Sequence, residues 1–421
     1  MTDTGSGDEM NPFDNPHHFD DSVRFITELA TAIARYNGHS YDADKVILRV
    51  IGALGLKGEI LAVPGAMILA LWQDDMHHQT IHLATSGQTI YDMARLERVM
   101  AILGDVEGGR ISPADGLRRL KEIEHAPAIY GNLPKAIAYF LAGIGFGVIL
   151  GISWLDVLIG GVLGLAAFGV ELLASRSSRV ETTPVLLLSV LIAFLAGVIG
   201  VVLPGIHPLA VTVCALTIYI PGFGLTIAPR EINAGATLSG VVYFTDALFV
   251  SLKLLLGTIL GLGLASSLFP LAVTEPLAGV DPHFIWVFIP LLLISNAILF
   301  GVSPNKFWLV IICGLLVWVG VTLGNTLGFW QGAFFGAIIL ALSARVAARR
   351  FGIPLSTVLL PVVLMLVPGY EFVRALYLLN GHEFMAGVSA GFQIFGIIIA
   401  IVGGVFVGDI IGSWRRITRK E

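Results

Sequence analysis

Two segments of the chain repeat at an offset of 147 residues, with Pro221-Gly222-Phe223 returning as Pro368-Gly369-Tyr370. At the same offset Asn233 meets Asn380, Gly240 meets Gly387, Val241 meets Val388, and Asp246 falls on Gln393. Each Pro-Gly pair closes an apolar run and is followed by a polar stretch and a second long apolar run. Proline removes a backbone donor and glycine permits positive φ, so a Pro-Gly pair at the end of such a run breaks a helix. Broken backbone at membrane depth is tolerated only where protein buries it or where it lines a water-filled cavity. Interrupted apolar segments at matching positions of two halves therefore point to a solute path through a bilayer. The plainer alternative is an ordinary span end followed by an ordinary loop.

Composition agrees with a membrane chain. Apolar residues make up 56% and charged residues 13% of the 421 positions, against about 45–50% and 25% in typical soluble domains. Mean hydropathy is +0.84. The 49 glycines suit helices that approach closely in lipid. The two cysteines, Cys214 and Cys313, lie in apolar runs and read as small packing residues rather than a disulfide. No secretory signal opens the chain, so the front segment is expected to stay on the side where it was made.

Residues 1–20 read as a disordered acidic tail, and 21–134 as a cytoplasmic α+β domain. In that domain Val23, Ile26, Ala30 and Ile33 share one helix face. A second helix is expected after Asp42, with Gly55 closing it. Glu59 to Ala84 reads as short strands, with Pro64-Gly65 as a turn. Helices follow at about 89–104 and 113–124, the latter capped by Ser112 with Pro113 at its first position. Among the histidines, His78 and His82 would share a strand face, which by itself is weak support for a metal site. No Gly-x-x-x-x-Gly-Lys-Ser/Thr is present, which argues against an ATP-driven pump. Nothing points to a cofactor or to nucleic acid.

From Pro134 onward the apolar runs predict ten spans: 136–152, 155–174, 183–203, 207–222, 239–266, 283–301, 307–324, 328–345, 353–369 and 384–411. They fall into two repeats of five, at 135–270 and 281–412, with a basic cytoplasmic tail at 413–421. Basic residues of short loops set orientation. Arg176, Arg179, Arg230, Lys306, Arg345, Arg349 and Arg350 all fall on the side of the N-terminus, as do Arg415, Arg416, Arg419 and Lys420 of the tail, and of the expected outside loops only the one after the ninth span carries a basic residue, Arg374. Both termini are then cytoplasmic, and an odd number of spans per repeat makes the second half inverted.

Candidate substrate-binding residues are Pro221, Gly222, Thr226, Asn233 and Asp246 in the first half, and Pro368, Gly369, Asn380 and Gln393 in the second. An arginine and a carboxylate follow each Pro-Gly pair: Arg230 with Glu231, and Arg374 with Glu371. They could grip the two ends of a zwitterion or lock a gate as salt bridges, or simply be solvated loop charges. Asp246 and Lys253 lie two turns apart inside an apolar run, where charge is costly. Asp246 could bind an ammonium group, take up a proton if burial raises its pKa, or hold helices together. Lys253 joins the gating or charge-pairing group. Asp156, Glu171 and Asp409 sit near expected span ends and read as interfacial.

Several segments resemble the threonine/serine exporter (ThrE) family. In the front domain these are Leu29 through Tyr41, Leu54-Gly55-Leu56, and Gly108-Gly109-Arg110-Ile111-Ser112. In the membrane part they are Ile220-Pro221-Gly222-Phe223-Gly224-Leu225-Thr226 with Glu231 and Ser239-Gly240, and Val367-Pro368-Gly369 with Gly387. Two departures fall in the front domain. Asp44 stands where the pattern usually has glutamate, and Leu83-Ala84-Thr85-Ser86 stands where an arginine is expected. The resemblance implies a multi-span helical secondary exporter of threonine and serine in a bacterial cytoplasmic membrane. Its partners would be the amino acid, protons and lipid, with room for a homo-oligomer. A dicarboxylate exporter of the same build, a membrane-embedded enzyme using the front domain, and a passive channel remain as alternatives.

Overall fold

The computed structural model describes residues 16–37, 40–63, 65–73, 79–85, 90–174, 185–233, 235–269, 277–366, 375, 378 and 384–417. The chain divides into two units, Met1–Pro127 and Ala128–Glu421.

The first unit runs α1 (Pro16–Asn37), α2 (Ser40–Ala53), β1 (Lys57–Val63), β2 (Ala66–Trp72), β3 (Thr80–Thr85), α3 (Met93–Glu107) and α4 (Pro113–His125). Helix α1 starts at Pro16, inside the stretch expected to be disordered, because proline's fixed φ suits a first helical position. Its apolar stripe of Phe25, Ile26, Leu29, Ile33 and Tyr36 is buried. It packs against α3, α4 and the strands. Contact with α4 is close: a methyl group at Gly116 would sit 2.7 Å from the Phe25 ring and 2.8 Å from the Val106 side chain.

The strands form an antiparallel sheet in the order β1-β2-β3. Met67, Leu69 and Leu71 turn inward by the alternation of a half-buried strand. Leu61, Ile68 and Leu83, which face one another across the strands, stay exposed on the other side. As expected, Gly55 closes α2 with φ 70°, and the Ser112 hydroxyl accepts the Asp115 N–H at 3.1 Å to cap α4. Of the two histidines in question, His82 sits on β3 opposite Leu69; His78 lies outside the described residues.

Asp44 is anomalous. Its Oδ1 is buried on α2 with no hydrogen-bond partner among the described residues. Desolvation pushes its carboxyl up to about 6, against a smaller opposing pull from Lys45. The folded-state value lies above the unfolded one, so the neutral acid favours folding. This stability is complete below about pH 4 and lost as pH rises through about 6. Asp44→Asn should therefore stabilise the unit at pH 7 by about 1–2 kcal/mol, once the effect of that rise is discounted for partial exposure. It should also flatten the pH dependence between 4 and 7. Hydrogen-exchange protection of α2 amides in the full chain, corrected for intrinsic rates, reads both effects. Equal protection in the two proteins at pH 7 would contradict the assignment.

The second unit is helical: α5 (Asn132–Leu150), α6 (Trp154–Ala174), α7 (Val185–Val202), α8 (Pro208–Ala215), α9 (Gly222–Asn233), α10 (Thr237–Leu268), α11 (Ile285–Leu299), α12 (Phe307–Asn325), α13 (Phe329–Phe351), α14 (Ser356–Val363) and α15 (Phe384–Ile417). Eight helices among the described residues are long and apolar enough to cross a membrane. Counting the bent pair around residue 216 as one span makes nine. The ninth expected span is a shorter apolar helix, Ser356–Leu366. Its α-helical part, Ser356–Val363, has eight residues and rises only about 12 Å, well short of a hydrocarbon core of about 30 Å.

Element boundaries follow the repeat. Helix α8 leads into a 3₁₀ turn at Thr217–Tyr219, and α14 into one at Leu364–Leu366. These turns are 147 residues apart, as are the starts of α10 and α15. Packing repeats as well: α10 lies along α7 as α15 lies along α13, and α6 holds α8 as α12 holds α14. The halves meet where α5 packs on α11.

In each half the long helix presents Gly-x-x-x-Gly to its neighbour. A methyl group at Gly257 would collide with the Ser189 hydroxyl and lie 2.7 Å from the Leu186 carbonyl. One at Gly404, 147 residues on, would collide with the Phe334 carbonyl and lie 2.7 Å from the Ala337 Cβ. Gly261 and Gly408 repeat the contact one turn later, against Val190 and Ile338. Small residues let helix backbones meet in lipid, where dispersion rather than water drives association.

The turn between α5 and α6 uses Gly151 at φ 67°. The chain joining the halves is tied there, with the Val280 N–H donating to the Ile152 carbonyl at 3.0 Å. Away from these contacts α10 exposes Leu248, Phe249, Leu252, Leu256, Ile259, Leu260 and Leu264. Lipid is the solvent that tolerates such a surface.

Candidate functional site

The chain breaks between α8 and α9. Pro208 starts α8 at its first position. The helix ends at Ala215, and the axis turns by 60° at Leu216. The Tyr219 N–H reaches the Leu216 carbonyl at 2.9 Å, and the Gly222 N–H reaches Ile220 at 2.7 Å. Pro221 has no N–H with which to continue the ladder. Gly222 then opens α9 rather than closing a span, so the polar stretch expected as a loop is a helix packed on α10. Contact with α10 is close, since a methyl at Gly224 would be 3.1 Å from the Ala247 Cβ.

A crevice lies beside this break, lined by Phe146, Thr217, Ile218, Ile220, Leu292, Asn296 and Leu364. Thr217 and Leu364 are repeat mates, each heading the 3₁₀ turn of its half. The carboxyl ends of α8 and α14 therefore converge on one space from opposite halves. Asn296, buried on α11, donates its amide to the Pro361 carbonyl at 3.0 Å. That carbonyl sits where α14 tightens into its 3₁₀ turn and ladder bonding ends, so the amide satisfies a group left over by the break.

Helix α6 holds the broken segment at two points. At its amino end Asp156 is fully buried. Its carboxylate accepts the Ser153 hydroxyl at 2.7 Å and the His207 backbone N–H, also at 2.7 Å. The His207 imidazole Nδ1 lies 3.1 Å from Oδ2 and must carry the proton, since a carboxylate only accepts. His207 immediately precedes α8, so Asp156 anchors the start of the broken segment. Toward the other end of α6, one oxygen of Glu171 accepts the Tyr139 hydroxyl and, at 2.7 Å, that of Tyr219. Tyr139 is buried on α5, and Tyr219 stands on the 3₁₀ turn at the break. The two anchors are fifteen residues apart on one helix, about 22 Å along its axis.

Both carboxylates read as interfacial from sequence, and Asp156 is instead completely enclosed. The available signal was Ser153-x-x-Asp156 before an apolar run, the spacing of a capping box: the Asp156 N–H donates back to Ser153 Oγ at 3.1 Å. Nothing local marked Glu171, whose partners come from other helices.

Among the described residues, the expected site residues are spread over the break, α9, α10 and α15. Pro221 is half-buried at the break and Gly222 is buried beside it. Thr226 is buried, but its hydroxyl donates to the Gly222 carbonyl at 2.6 Å. Glu231 is buried near the end of α9. Arg230 and Asn233 belong to α9, and their side chains lie outside what is described. Asp246 and Lys253 are exposed on α10, so the burial supposed for Asp246 is not found; Gln393 is half-buried on α15. Pro368, Gly369, Glu371, Arg374 and Asn380 lie outside the described residues. Asp409 pairs with Arg345 across α15 and α13 at 2.5 Å.

A helical bundle with this many apolar helices, and with two short helices broken around one crevice, defines a multi-span membrane protein. Family models described as threonine/serine exporter match residues 24–265 and 283–411. The chain belongs to the threonine/serine exporter (ThrE) family. It is also similar to fungal proteins named pheromone-regulated membrane protein 10. The one from Saccharomyces cerevisiae is 22% identical over 78% of this chain and 42% of its own length. That from Yarrowia lipolytica is 24% identical over 56% of this chain and 20% of its own, and that from Eremothecium gossypii 22% over 82% and 48%. The chain thus spans less than half of these relatives. No solved structure matches it.

Proposed function

We propose that the protein is a secondary exporter of small polar amino acids such as threonine and serine. Protons drive it, and access alternates between two inverted five-span halves. The observation that carries this reading is the crevice where the broken segments of both halves converge. The carboxyl end of α8 brings partial negative charge to that space and suits an ammonium group; the amino end of α9, beginning just past Ile220, brings partial positive charge and suits a carboxylate. One break thereby offers complementary ends to a zwitterion. The Thr217 hydroxyl and the Asn296 side chain, whose amide also holds the Pro361 carbonyl, are the polar side chains among the lining residues. A second carboxyl end, from α14, disfavours a dicarboxylate. The bias of basic loop residues supports ten spans with both termini and the first unit in the cytoplasm of a bacterial cell, and Pro221 and Pro368 at opposite faces.

Reconstitution tests the reading. Purified protein in liposomes should exchange labelled threonine or serine and accelerate under an imposed pH gradient. If it neither moves these amino acids nor is inhibited by them, the substrate assignment is wrong. Uptake of labelled succinate instead would select the dicarboxylate alternative.

A further inference from the structure

We propose that Glu171 is the residue that carries the coupling proton, and that its protonation releases the Tyr219 turn. This rests on the proton-driven reading above. The carboxylate is half-buried three residues before the end of α6, and the described residues give it no cationic partner. Two hydroxyls satisfy it instead, one from a fixed helix (Tyr139 on α5) and one from the broken segment (Tyr219). The same Tyr219 turn supplies Thr217 and Ile218 to the crevice wall. A change at Glu171 therefore acts directly on the wall.

The chemistry sets the direction. As a carboxylate, Glu171 accepts from both tyrosines and ties the turn to α5 and α6. On taking one proton from water it becomes a neutral acid and a donor. Both tyrosines then lose the charge-assisted part of their bonds, which is about half of the strength of such an interaction. The only covalent bond that forms is the carboxyl O–H, and the same proton returns to water when the tie re-forms on the opposite side of the cycle. Neighbouring titratable groups are few. Among the helices packed against α6, α5 adds Lys135 one turn before Tyr139, α7 has none, and α8 has only Cys214, which sits against Gly160. On α6 itself the other titratable group is Asp156, engaged with His207 at the far end.

The test compares wild type with Glu171→Gln, which keeps size and polarity but cannot hold a proton. In liposomes, Glu171→Gln should still exchange labelled threonine for threonine or serine while the stimulation by a pH gradient is lost. If the variant responds to the gradient as wild type does, the proposal is overturned. Infrared difference spectra across a pH titration give a reading that does not depend on transport. Wild type should show the band of a protonated carboxylic acid that Glu171→Gln lacks, and Tyr219→Phe should keep the band but move it. A titration difference spectrum identical in wild type and Glu171→Gln also overturns the proposal. Should wild type exchange amino acids without any response to a gradient, proton drive fails as a reading, whereas the infrared band still decides whether Glu171 titrates.

Discussion

Asp156→Ala should destabilise the membrane unit by about 3 kcal/mol, the largest loss expected from any single polar side chain here. Interhelical hydrogen bonds between neutral groups in membranes average only about 0.6 kcal/mol, so the reason must be charge and enclosure. The Asp156 carboxylate is fully buried and receives three donors, from the Ser153 hydroxyl and from the backbone and ring of His207. It also occupies the first turn of α6, where negative charge complements the helix dipole. Alanine removes all of this and leaves the His207 N–H without its acceptor at the start of α8. Asp156→Asn keeps the volume and one acceptor, and should lose noticeably less. Thermal unfolding of the detergent-solubilised proteins gives the comparison. An alanine variant within about 0.5 kcal/mol of wild type, the range of ordinary surface changes, would show that the anchor is dispensable. The expected functional signature is a segment that loosens at its Asp156 attachment while the Glu171 attachment persists.

The sequence made the repeat and most helix limits legible because both are one-dimensional. Apolar runs report span length, and proline and glycine report where a run stops. Helices α6, α7, α10 and α12 accordingly lie within two residues of their expected bounds at each end. What escaped was three-dimensional. Proline-glycine was expected to end a span, but the 3₁₀ turn at Thr217–Tyr219 precedes it, and Gly222 starts the next helix. Asp246 stands out in the sequence because its repeat mate Gln393 is also polar. Which face of α10 is buried, however, is decided by contacts with α7 and α9 on other stretches of chain, and Asp246 falls outside them. Glu171, which reads as interfacial from sequence, escapes for the same reason in reverse, since its partners Tyr139 and Tyr219 lie 32 and 48 residues away. Spacing alone exposes no pair of that kind.

The glycine ladders give the second large effect. Gly257→Leu should abolish accumulation of folded protein, and Gly404→Leu should do the same. Even one added carbon collides in both places, with Ser189 and the Leu186 carbonyl in the first half and with the Phe334 carbonyl and Ala337 in the second. Backbone carbonyls cannot swing aside as a side chain can, so the helices must separate. Overpacking typically costs about 1–3 kcal/mol for small additions, and a leucine that forces two long helices apart exceeds that range. Controls exist on the same helices: Gly263 and Gly391 have open space where a methyl would go. Gly263→Ala and Gly391→Ala should therefore be tolerated, with a gain of up to about 1 kcal/mol from helix propensity. Monodisperse yield and thermal unfolding in detergent distinguish the cases. Normal melting of Gly257→Leu would mean that α7 and α10 do not pack through this face. A severe defect at one glycine and none at its mate would mean that the two halves reached similar outlines by different packing. Matched failure at both positions is what a duplicated fold requires, because the close contact is then inherited together with the repeat.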